Sequence, residues 1–153
     1  LLDARLPGRI ASLALRLGST PANLCLFFSA QPCLKHGARA LDSLIACKRT
    51  GFRIGLDIEA LSEMPGLFVE YLPADVLRLN PLDVMSLPED KDTVEMVLEF
   101  TRYAANLLMT PAANGVRNTE QLNMLRDMGI RIGQGPLFGN SGAYANRFNP
   151  SAP

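Results

Sequence analysis

Helical stripes of apolar residues and short unbroken apolar runs take turns along this chain, and several of the changes of period fall at a glycine. Leu6, Ile10, Leu13, Ala14 and Leu17 recur at helical spacing, with Pro7 in the first turn and Gly18 just past the last, which predicts an amphipathic helix with one buried face. Asn23 to Ser29 follows as a strand apolar on both sides. A second helix is predicted from about His36 to Arg49 on Leu41, Leu44 and Ile45, ending at Gly51. Arg53 to Ile58 and Asp75 to Leu79 read as two further strands, joined by a crossover long enough to make them parallel neighbours.

The second half repeats the rhythm. Asp92 and Glu95 are spaced as a capping box at the head of a long helix to about Leu107, whose core stripe is Val94, Val97, Thr101, Ala104 and Leu108. Leu108 to Ala113 reads as a strand, shortened or at a sheet edge because Pro111 has no N–H to give to a ladder. Asn118 and Gln121 open the last helix, where Leu122, Leu125 and Met128 close on Gly129 before a strand from Ile130 to Gly133. Helix and strand in alternation predict an α/β fold, a parallel sheet with helices outside it. Right-handed crossovers permit either an open sheet or a barrel, and periodicity does not choose. In both, ligand-handling groups gather at strand C-termini, where this chain puts Asp57, Arg78 and Asn80.

Composition narrows the function classes. The chain has 153 residues, 48% of them hydrophobic, enough for a packed core. Its 15 basic and 15 acidic residues cancel, so no overall field for a nucleic-acid polymer or a membrane surface is expected. The opening residues lack the pattern of a secretory leader, and no apolar run is long enough to span a bilayer. Cys25, Cys33 and Cys47 form no metal-ligand spacing with the only histidine, His36. Cys25 and Cys47 read as core residues and Cys33 as a loop thiol, with a reducing cytoplasm as the expected compartment.

Four stretches carry a family resemblance. Gly51 to Pro81 resembles the part of a bacterial EAL domain, the cyclic di-GMP phosphodiesterase family, that reads close to G-x-x-x-x-x-DDFGTG … P-x-D-x-L-K-I-D. Asp57 falls on the first Asp, Ile58 on the second, Asp75 on the Asp after Pro, Arg78 on the Lys and Asn80 on the final Asp; Glu59, Ala60, Leu61 and Ser62 stand for FGTG. Leu24 to Ala30 is similar to L-x-L-E-I-T-E, Ala113 to Arg117 to A-E-G-V-E, and Gln134 to Gly139 to Q-G-Y-L-F-G. The resemblance implies a TIM-type (β/α) barrel of roughly 250 residues, incomplete here because the first strands are absent. It divides the chain into a partial domain over residues 1–141 and a flexible tail over 142–153.

Members of that family cleave a phosphodiester with two divalent cations held by anionic oxygens. At the matching ligand positions this chain has Phe27, Ile58, Asn80 and Asn114, and Arg78 replaces the Lys. The resemblance therefore implies no catalytic residue, no metal and no cofactor, with Asp57, Arg78, Asn114 and Gln134 lining a vestigial ligand pocket and Asp57 paired with Arg78. The expected role is signalling through a protein partner or self-association at open barrel edges. Cyclic di-GMP binding without cleavage is the alternative, and an active phosphodiesterase completed by another chain is the third.

Overall fold

The structure, a computed structural model, describes residues 3–58 and 69–139. The expected tail and the four residues in place of FGTG lie outside that set. Five strands form one wholly parallel sheet in the order β1-β2-β3-β4-β5: β1 Cys25–Ser29, β2 Arg53–Ile58, β3 Val76–Leu79, β4 Thr110–Asn114 and β5 Ile132–Gln134. An open doubly wound sheet reverses its strand order at a switch point. Here the order never reverses, which is the winding of a barrel wall.

Six helices accompany the strands: α1 Leu6–Arg16, α2 Ala30–His36, α3 Ala38–Arg49, α4 Pro81–Met85, α5 Lys91–Asn106 and α6 Thr119–Asp127. Leu44 and Cys47 of α3, Val97, Phe100 and Ala104 of α5, and Leu125 of α6 meet Ile54, Leu56, Ile58, Leu77 and Leu79 of the sheet in one buried cluster. At about 25 cal/mol per Å² of apolar surface, each such side chain contributes roughly 1.5–3 kcal/mol before entropy is charged. Asp75 fastens the strand N-termini to the helix layer. Its Oδ1 accepts from Lys48 Nζ of α3 at 2.6 Å and its Oδ2 from the Ile54 backbone at 2.7 Å.

Several expectations need correction. The span from Ala30 to His36 is a helix, α2, so Cys33 is a fully buried helical residue and not a loop thiol. Seven residues are too few to show a period, and Pro32 misleads there, since a first-turn residue needs no N–H acceptor. In α1 the buried positions are Pro7 and Ala14, while Leu13 and Leu17 are 54% and 75% exposed. Asp90, not Asp92, caps α5: its carboxylate accepts from the Asp92 backbone at 3.1 Å and from Thr93 Oγ1 at 2.7 Å. These bonds hold the Asp90 carboxyl below the usual range. Leu108 is 94% exposed beyond the helix end, at φ 58°.

Pro111 lies in an interior strand, between β3 and β4's other neighbour β5, rather than at an edge. Thr110 N–H points to β3, bonding Asp75 O at 2.8 Å, so alternation turns the Pro111 nitrogen toward β5. Opposite that nitrogen the chain has only just left α6, and β5 begins with Arg131 donating to Pro111 O at 3.0 Å. The missing donor therefore costs no ladder bond.

Candidate functional site

The parallel register fixes which side chains share a face. Phe27 is paired with Gly55, Asp57 with Arg78, and Asn114 with Gln134. Alternation puts Phe27, Gly55, Asp57, Arg78 and Gln134 on the face turned away from the helices. Ile58, one residue on, faces the helix layer and is 1% exposed in the core. The expectation of Ile58 at the pocket therefore needs correction: period two sends Asp57 and Ile58 to opposite faces.

Arg78 is the centre of the exposed-face cluster. Its Nε donates to Asp57 Oδ1 at 2.6 Å and its Nη2 to Oδ2 at 2.9 Å, a bidentate fork, while Nη1 donates to Gln134 Oε1 at 2.6 Å. The Arg78 side chain is only 12% exposed and that of Asp57 34%. Beneath the guanidinium lies the Phe27 ring, 3.7 Å from Cζ to centroid, a stacked cation–π contact. Phe27 belongs to β1 and Arg78 to β3, so the ring must lean across β2. It does so at Gly55, where an added Cβ would stand 2.8 Å from Phe27 Cζ and closer still to Cδ1 and Cε1. Gly55 was not singled out from sequence, although a glycine inside a strand signals close approach.

Asn80 does not reach this cluster through any bond the structure shows. Its Oδ1 accepts from the Leu82 and Asp83 backbones at 2.7 and 3.1 Å, capping α4, and its Nδ2 donates to Asp83 Oδ2 at 2.8 Å. Burial pushes the Asp83 carboxyl up. Asn114 is half-buried at the end of β4, and the following Gly115 has φ 90°. A Cβ there would meet Pro81 at 2.7 Å, so conformation and space both account for that glycine. Gln121 is 4% exposed, and its amide donates to the Val84 and Leu87 carbonyls, bolting α6 to the segment after β3. His36 is exposed.

The donor set does not fit two divalent cations. The one carboxylate on the sheet's open face is Asp57, and both its oxygens are engaged by an arginine that stays charged. An aromatic ring occupies the adjacent position on β1. Among the described residues, no three His, Cys, Asp or Glu side chains lie close enough to hold a metal.

The EAL domain model matches residues 1–141. The chain belongs to the EAL domain family. Within it, an uncharacterized protein of Azorhizobium caulinodans is 27% identical over 124 residues, which is 81% of this chain and 17% of that protein. Among solved structures, the PaMucR phosphodiesterase in complex with c-di-GMP superposes at TM-score 0.79 with 23% identity, covering 90% of this chain and 56% of that one. The EAL enzyme Bd1971 bound to cAMP and cyclic-di-GMP superposes at 0.81 with 22% identity, over 97% of this chain and 40% of that one. The EAL domain of Mycobacterium smegmatis DcpA gives 0.79 at 18% identity, over 92% and 62%. The chain thus spans about half the length of the EAL structures it matches, and at these identities the likeness is one of fold. The EAL chain has its five described strands in barrel order, as a contiguous part of that fold. Among its described residues no helix is long and apolar enough to cross a membrane.

Proposed function

We propose that this EAL domain does not hydrolyse cyclic di-GMP and acts in cyclic di-GMP signalling through protein contacts, in the cytoplasm. One observation carries the reading: Arg78 is clamped to Asp57 and Gln134 above the Phe27 ring, where catalysis by this family needs anionic oxygens around two cations. Releasing Asp57 for a metal would strand a guanidinium that is 12% exposed, and an unpaired buried charge costs on the order of 3–5 kcal/mol. The other positions named from the resemblance supply no anion: Asn80 is engaged as a helix cap and Ile58 lies in the core. Binding would be through a partner or a second copy at β1 and β5, the outer strands of the described sheet.

A receptor that binds cyclic di-GMP without cleaving it is the second reading. Gln134 is exposed beside Arg78, and two of the similar EAL structures hold the cyclic dinucleotide. Titrating cyclic di-GMP calorimetrically, with and without Mg²⁺, and then analysing the mixture by chromatography tests both. The expected result is no linear dinucleotide product under either condition. Heat that does not depend on Mg²⁺ and is lost in Gln134→Ala selects the receptor, and metal-dependent product overturns the proposal.

A further inference from the structure

The charges of this chain cancel in sum but not in place. Residues 1–56 hold eight bases and two acids, residues 57–99 two bases and eleven acids, and residues 100–153 five bases and two acids. The structure concentrates the first two blocks onto two helix faces. Arg5, Arg9, Ser12 and Arg16 follow one another at i, i+4, i+7 and i+11, all exposed, as a single stripe along α1. Leu13 and Leu15, 54% and 63% exposed, stand beside it, and Gly8 and Ser12 leave a shallow groove between the arginines. Asp3 approaches Arg5 at 3.6 Å and Arg9 at 4.0 Å, exposed pairs that contribute little.

The acidic block has the matching design. Asp92, Glu95 and Glu99 are exposed at i, i+3 and i+7 on α5, preceded by exposed Glu89 and Asp90. Next to them, joined through the Asp90 N–H to Ser86 O bond of 3.1 Å, α4 exposes Leu82 (71%) and Met85 (43%). Each surface is thus a row of one charge with an apolar pair at its side, and the signs are opposite. The arginine row is about 16 Å long and the α5 row about 10 Å before Glu89 and Asp90 extend it. Within one chain the rows are apart: α1 precedes the edge strand β1, whereas α5 packs on β4.

We infer that α1 of one copy docks on the α4–α5 face of a second copy. A two-fold axis lets both contacts form at once, each basic row meeting the other copy's acidic row, so the association closes as a dimer. This surface is the helix layer, distinct from the sheet edges, and the inference stands whether or not the site binds nucleotide. Rows of exposed charge steer and register such a contact, and salt weakens it.

Sedimentation velocity at about 50 mM and about 500 mM salt tests it. The expected result is a dimer whose dissociation constant rises at least about tenfold at the higher salt. Arg5→Glu with Arg9→Glu and Arg16→Glu is expected to sediment as a monomer, as is Asp92→Lys with Glu95→Lys and Glu99→Lys. Mixed in equal amounts, the two variants are expected to form a heterodimer, because each row again faces its opposite. Single changes Arg9→Glu and Glu95→Lys provide the same test should either triple variant fail to fold. A wild-type monomer at low salt, a dimer that survives both reversals, or a mixture that stays monomeric would each overturn the inference, the second pointing to the sheet edges instead.

Discussion

Gly55→Val is expected to destabilise the domain by about 2–3 kcal/mol, read as a lower midpoint in urea. The Phe27 ring reaches Arg78 only by crossing β2 over a residue with no side chain. A branched side chain at position 55 drives the ring off Arg78 or off its rotamer, losing the stack as well as the packing. The same change made in a Phe27→Ala background should cost less, because the ring that clashes is gone and the new methyls occupy part of its space. A coupling of about 1–3 kcal/mol between the two positions is expected. Strictly additive costs would mean that the ring does not lie over Gly55.

Arg78→Met is expected to cost about 2–4 kcal/mol at neutral pH. Methionine keeps the stem and removes the guanidinium, leaving a half-buried carboxylate at Asp57 without its two charge-assisted bonds. Arg78→Lys should cost less but still measurably, since an ammonium restores charge and cannot fork onto both oxygens while bonding Gln134. Removing both partners, as Asp57→Leu with Arg78→Met, should recover much of the single-mutant loss, because no charge is then left unpaired. A double variant as unstable as the sum of the singles would contradict the clamp.

The architecture was largely legible because α1, α3, α5 and α6 have apolar periods and most end at a glycine, and because the strands are short apolar runs between them. What sequence missed was either too short to carry a period or dependent on register. Ala30 to His36 is seven residues and α4 is five, below the length at which a stripe shows. Asp90 and Asp92 are both plausible caps from spacing, and only the backbone geometry chooses Asp90. Whether β4 was interior or at an edge turned on which neighbour its proline nitrogen faced, a matter of register.

At the site, opposite charges at adjacent strand ends made the Asp57–Arg78 pair predictable, and the register makes them direct neighbours. Ile58 could have been placed correctly from alternation alone. The Phe27 platform could not, because no local pattern says that β1 and β3 flank β2 in a register that sets Phe27 beside Gly55. The family resemblance supplied the identity of the positions, and the side-chain geometry supplied what now occupies them.

The central claim is that the Arg78 clamp takes the place of a two-metal centre, and paramagnetic Mn²⁺ added to isotopically labelled protein tests it most directly. The account predicts that backbone amides of Asp57, Arg78, Asn114 and Gln134 broaden no more than those of exposed carboxylates such as Glu95. Selective broadening of those four at low Mn²⁺, reversed by a chelator, would contradict it.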